Sequence, residues 1–182
     1  YEFSSLVVGA NTLTVTSQGY NRKNFRFNEV DTDGSDGVVS VVGSTDITFG
    51  TLTGTGDFRL TGSGDANFAG DNTSFTHDIL LTDTPPDVFA TGTNSLGAGT
   101  VIVDRGNGGG WLYLNAAQIA DIDANIGYIQ TNAAGAVSGN FYYTDAVGGR
   151  LFFDAAGSVN GANVVIDNAT GINRYAGWYR VG

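Results

Sequence analysis

Gly9-Ala10-Asn11-Thr12-Leu13-Thr14-Val15, followed after a polar loop by Asn24-Phe25-Arg26-Phe27, is the stretch on which the reading of the fold turns. It returns as Gly43-Ser44-Thr45-Asp46-Ile47-Thr48-Phe49 with Asp57-Phe58-Arg59-Leu60. Looser copies read Gly97-Ala98-Gly99-Thr100-Val101-Ile102-Val103 with Trp111-Leu112-Tyr113-Leu114, and Gly161-Ala162-Asn163-Val164-Val165-Ile166 with Gly177-Trp178-Tyr179-Arg180-Val181. Each copy is a glycine turn, a short β-prone run, a Gly/Asn/Asp-rich loop and an aromatic β-prone run. Leu13 and Val15 alternate with Thr12, Thr14 and Thr16, the period-two mark of a half-buried strand. Phe25 and Phe27 point one way and Arg26 the other.

The first two copies predict an internal duplication over about 7–36 and 41–70. Regular periods of roughly 20–50 residues mark solenoid arrays, and four unevenly spaced copies argue against one. The expectation is therefore a mainly β, single-domain antiparallel sandwich or barrel, jelly-roll-like, built of repeated hairpins over residues 1–182. Phe141-Tyr142-Tyr143 and Leu151-Phe152-Phe153, flanking a Gly-tipped segment at 145–149, read as one such hairpin. One short α-helix is predicted near residues 116–126. Asn115 suits an N-cap with Gln118 three residues on. Ile119, Ile122 and Ile126 form an apolar stripe, and Gly127 is a natural stop.

Composition narrows the function classes. The chain has 182 residues, a net charge of −10, 28 Gly, no Cys and no Met. The only Glu residues are Glu2 and Glu29, and Lys23 is the only Lys. Turn and strand-edge residues replace the usual helix formers. Phosphate binding needs a basic patch, so nucleic acid is not an expected partner. Arg22, Lys23 and Arg26 form the one small cationic spot. No apolar run approaches the roughly 20 residues of a membrane helix, so membrane insertion is not expected. The start at Tyr1 without Met suggests a leader cut off or further N-terminal residues.

Asp31-Thr32-Asp33-Gly34-Ser35-Asp36-Gly37 is the best metal candidate, because alternate Asp side chains on a turning backbone can converge on Ca2+. Asp31, Asp33 and Asp36 would be its ligands. The competing reading is a tight turn whose Asp residues cap backbone amides. Asp31 and Asp33 fit the EF-hand spacing, but Ser35 takes position five, Gly comes one residue late and Val42 stands at position twelve, where an EF-hand carries Glu; no other cofactor is expected. Ser74, His77 and Asp78 include the side-chain types of a hydrolytic triad, but His77 and Asp78 would face opposite sides of a strand. Paired Asp residues are abundant, yet most sit beside Gly or Asn in turns. No catalytic residue is assigned, and the chain is not expected to be an enzyme. Trp111, Tyr113, Trp178 and Tyr179 are candidates for contact with carbohydrate or with another subunit.

In general character the chain resembles virion decoration, cement and fibre proteins, and bacterial surface-fibre subunits: β-rich, acidic, Cys-free and rich in Gly, Thr, Asn and Asp. That resemblance implies a structural homo-oligomer in a phage virion. The alternative is a secreted surface filament subunit or adhesin that binds Ca2+ or glycans. Its partners would be copies of itself and other particle or surface proteins, in a virion, outside the cell or at its surface.

Overall fold

A computed structural model describes residues 1–17, 21–104, 109–144, 150–155, 159–161 and 163–167. Its strands in chain order are β1 (Glu2–Phe3), β2 (Leu6–Val7), β3 (Thr12–Thr16), β4 (Lys23–Asp31), β5 (Gly37–Val42) and β6 (Thr45–Thr53). They continue with β7 (Phe58–Gly62), β8 (Asp65–Phe68), β9 (Ile79–Thr82), β10 (Asp87–Ala90), β11 (Thr100–Asp104) and β12 (Trp111–Leu114). The last are β13 (Asp121–Ile126), β14 (Tyr128–Thr131), β15 (Phe141–Thr144), β16 (Arg150–Phe153) and β17 (Val164–Asp167).

Every one of these strands pairs in parallel. Sheet A runs β1-β4-β6-β8-β10-β12-β14-β16, with β2 also on β4; sheet B runs β3-β5-β7-β9-β11-β13-β15-β17. The chain therefore winds from one sheet to the other and back, making a β-solenoid of about seven turns. This overturns the antiparallel sandwich or barrel. Sequential strands such as β15 and β16 lie in opposite sheets, so the predicted hairpin at 141–153 is a half-coil; its tip at 145–149 lies outside the described residues. The repeat segments also change identity. Gly9–Val15 runs into β3 of sheet B, whereas Gly43–Phe49 runs into β6 of sheet A, so 7–36 and 41–70 cut the coil at different phases. Residues 1–8 add β1 and β2 to the chain's own sheet A.

The alternation seen in the sequence fills the space between the sheets. Inward columns run from coil to coil. In sheet B one column holds Val39, Leu60, Leu81, Val103, Ala124 and Tyr143, and in sheet A Phe27, Phe49, Phe68, Ala90 and Leu114 line up. All are buried and belong to one continuous core. Phe49, Phe58 and Phe68 meet across it with ring centroids 5.2 to 6.1 Å apart, in tilted and edge-on arrangements.

Polar side chains set the corners. Asp36 accepts the Asp57 N–H, Asp57 that of Asp78, Asp78 that of Thr100, and Asp121 that of Asn140, with spacings of 19 to 22 residues. Asp36, Asp57 and Asp78 directly precede β5, β7 and β9, and Asp121 begins β13; each carboxylate caps the coil that follows. Inside the opposite corners, fully buried Asn72 accepts the Leu52 N–H at 2.6 Å and donates to the Gly50 and Ser95 carbonyls. Gln118 repeats the device with Leu96, Gly92 and Ala116.

No helix occurs among the described residues, and the helix expected near 116–126 is a corner followed by β13. Gln118 is buried in that corner and is no part of a capping box. Ile119 is exposed while Ile122 is fully buried, which breaks the supposed stripe. Asp121-Ile122-Asp123-Ala124 alternates out-in-out-in, and pairing with β11 and β15 makes that period the one that counts.

Two substitutions test this architecture in urea unfolding. Asn72→Ala leaves buried backbone groups without partners and should cost about 3 kcal/mol. Gly62 has φ of +105° and packs against the Val41 carbonyl where a Cβ would have to sit. Gly62→Ala should cost roughly 1–3 kcal/mol from the backbone conformation alone. Wild-type stability in either variant would contradict the assigned coil register.

Candidate functional site

The outer face of sheet A carries two side-chain rows that cross the coils. One runs Asn24, Asp46, Asp65, Asp87, and continues on the next coils as Trp111, Tyr128 and Arg150. The other runs Arg26, Thr48, Asn67, Phe89, Tyr113, Gln130 and Phe152. Both follow from the alternation that buries the neighbours Ile47, Ala66, Val88, Leu112 and Ile129.

The middle and far coils are aromatic. Phe89 and Tyr113 stack with centroids 4.7 Å apart, Trp111 lies 5.9 Å from Tyr113 and 5.5 Å from Phe152, and Trp111 meets Tyr128 at 4.9 Å. The Arg150 guanidinium sits 5.4 Å from the Tyr128 ring centroid. These rings are half-buried. Trp111 and Tyr113, singled out from sequence, thus belong to one aromatic surface, to which the structure adds Phe89, Tyr128 and Phe152. Trp178 and Tyr179 lie outside the described residues.

The near coils are acidic. Arg22 bridges Asp46 and Asp65, its Nε 3.2 Å from Asp46 Oδ1 and its Nη2 2.7 Å from Asp65 Oδ2. Asp46 Oδ1 is shut off from solvent, and Arg22 is its charge partner without aligning as a hydrogen bond. Asp87 accepts the Trp111 N–H at 2.8 Å, tying the acidic row to the aromatic one. Burial raises the Asp46 carboxyl above its ordinary range; Arg22 opposes this, and Asp65 adds to it through its charge and a hydrogen bond. The Tyr113 phenol is raised by burial, then by Asp87 and Asp65. A cleft of about 390 Å³ opens where the two kinds of coil meet, between Arg22, Asp46, Asp65, Asn67 and Phe89.

The other candidates go to separate places. Asp31 accepts the Asp33 N–H at 2.8 Å and Asp36 caps Asp57, so both serve the turn. Asp33 is exposed, with φ of +47°. Among the described residues no three His, Cys, Asp or Glu side chains converge on a common point suited to a metal. Asp78 caps Thr100, and His77 rests edge-on against Phe75 at 5.9 Å. Arg26 bonds Asn28 and faces Glu2, so the cationic spot of the sequence is divided between two carboxylate environments.

Phe89, Asp46, Asp65 and Arg22 were not singled out as site residues from the sequence. The signal for them is the coil register itself, which places residues from four successive coils side by side.

No known protein family, curated protein or solved structure matches the chain.

The raised Asp46 carboxyl has a definite sign. Its folded-state pKa exceeds the unfolded one, so the native protein holds the proton longer, and stability falls as pH rises from the ordinary value of 3.8 through the folded-state value. Asp46→Asn removes that loss. Urea unfolding over this range should show the variant gaining on wild type as pH rises and levelling off above it. A constant difference, or one of opposite slope, would contradict the assignment.

Proposed function

We propose that this chain is a structural, non-catalytic building block of a larger assembly, in the first place a homo-oligomeric decoration or fibre component of a phage virion. The observation that carries the reading is the single core running through about seven parallel coils. Such a block holds its outer rows at fixed strand spacing, and its stiffness comes from every coil bonding to the next. A catalytic role would call for a nucleophile and base held together, and the half-buried rings and ion-paired carboxylates of sheet A are better suited to contact.

The outer edge presented by β1, β2 and β3 supports assembly. Among the described residues, these strands pair on one side only, β1 and β2 with β4 and β3 with β5. An unpaired strand edge is a template for another chain. Tyr1, Phe3 and Val7 are exposed there at 73%, 43% and 61%. The second reading, a secreted filament subunit or adhesin, is favoured by the aromatic surface of sheet A, which offers apolar area at the side of the block and not only at its end.

Native mass spectrometry and sedimentation across a wide concentration range test the assembly reading. Discrete homo-oligomers are expected, and substituting Lys at Phe3 and Val7 should dissociate them while leaving the far-ultraviolet β signature intact. A strict monomer at high concentration sinks the proposal.

A further inference from the structure

The Phe89 and Tyr113 rings are only 5° from parallel, with centroids 4.7 Å apart. That distance matches the roughly 4.7–4.9 Å between neighbouring strands. The rings are therefore stacked across two adjacent coils, one face toward the other. Tyr113 also has Trp111 of its own strand stacked 5.9 Å away, while its neighbour on the next coil is Gln130. The Phe89 face turned away from Tyr113 looks toward the preceding coils, where the same row holds Asn67 and then Thr48. These shorter side chains leave a rung of the aromatic row unfilled, and the cleft lies there.

The walls of that rung are polar. Asp46 and Asp65 stand on adjacent coils, and Arg22 holds both at 3.2 and 2.7 Å. Asn67 Oδ1 accepts the Thr91 hydroxyl at 2.7 Å, which fixes the amide and leaves its N–H donors to point elsewhere. The cleft thus joins one aromatic face to carboxylate, amide, hydroxyl and guanidinium groups around its edge.

We infer that the cleft binds one pyranose ring of an uncharged or amine-bearing glycan, its apolar face on Phe89 and its hydroxyls on Asp46, Asp65 and Asn67. A sugar ring has this division between an apolar face and a polar edge. A flat aromatic ligand would cover the face but displace water from the carboxylates and the amide around its edge without replacing those hydrogen bonds, which is costly. Charge sets the class further. Two carboxylates against one guanidinium leave the wall net negative, in a chain of net charge −10, so uronate and sialate units are repelled. The volume of about 390 Å³ falls in the usual range for small-ligand sites, roughly 300–1,000 Å³. The cleft lies on the outer face of sheet A and reaches Asn24 of β4, the strand paired with β1, and its test reads glycan binding separately from assembly.

A glycan array followed by calorimetric and 15N-NMR titration tests the inference. The probes are gluco-, manno- and N-acetylglucosamine oligomers, chitosan oligomers and, as the anionic control, oligogalacturonate. Uncharged or amine-bearing oligomers should bind and shift the Asn67 and Phe89 amides, with oligogalacturonate inert. Phe89→Ala should weaken binding about tenfold. Asn67→Phe fills the missing rung and should abolish binding while circular dichroism keeps the β signature. Should that variant not fold, Phe89→Ala, on the outer face, carries the test. Failure of every uncharged or amine-bearing glycan to bind, binding unmoved by Phe89→Ala, or tighter binding of oligogalacturonate would overturn the inference.

Discussion

Parallel register between successive coils is the constraint on which the rest depends. Strand N–H and C=O groups find partners in the coil before and the coil after, so the backbone is satisfied only while coils stay aligned. The side-chain period is two, and a slip of one residue would turn Leu60 and Phe58 to solvent and Arg59 into the core. The inward columns resist this because every member is apolar and close to fully buried. The corner caps resist it as well. Asp57 meets the N–H of Asp78 only if the two coils are in register, and Asn72 can satisfy Leu52, Gly50 and Ser95 together only from one position.

The same register composes the surface. A parallel solenoid puts residues from different coils at strand spacing, so a row of like side chains becomes a continuous patch. Like charges opposite one another are unfavourable, which is the cost of placing Asp46 beside Asp65. Arg22 offsets it as the ion-pair partner of both. Aromatic rings at the same spacing have the opposite effect, since parallel rings about one strand apart attract. Sheet A therefore divides into a half that needs a counter-charge and a half that is self-stabilising, and the cleft forms at their junction.

Much of the local structure was legible in the sequence, and the pairing was not. The alternation in Thr12–Thr16 and Phe25–Phe27 marked strands that the structure contains. Nothing in one strand distinguishes a parallel neighbour from an antiparallel one when its inward residues are as varied as Val39, Leu60, Leu81, Val103, Ala124 and Tyr143. Spacings of 19 to 22 residues between corner caps blur the period further, and the two sheets offer rival matches for every strand. The most faithful marker was Asp36, Asp57 and Asp78, each directly before a sheet-B strand. The helix expectation failed for a related reason. Ile119, Ile122 and Ile126 satisfied one period while Asp121-Ile122-Asp123-Ala124 satisfied another, and tertiary pairing decided between them. In the site, Trp111 and Tyr113 stood out because they alternate within one strand. Phe89 and Asp65 acquire meaning only once their coils are stacked.

A solenoid coil has two ways of meeting something else, and they draw on different physics. Along β1, β2 and β3, which among the described residues pair on one side only, an extended chain can pair with the backbone whatever its side chains. Selectivity there must come from the apolar side chains that accompany the edge, Tyr1, Phe3 and Val7. On the flank the backbone is fully engaged, so only side chains act, at distances the strands dictate. Recognition there is bound to a ligand whose apolar and polar parts repeat on that scale. A ring that can take the next place in the Phe89–Tyr113 stack meets this condition, because the spacing that aligned the two side chains also sets where a third ring would lie.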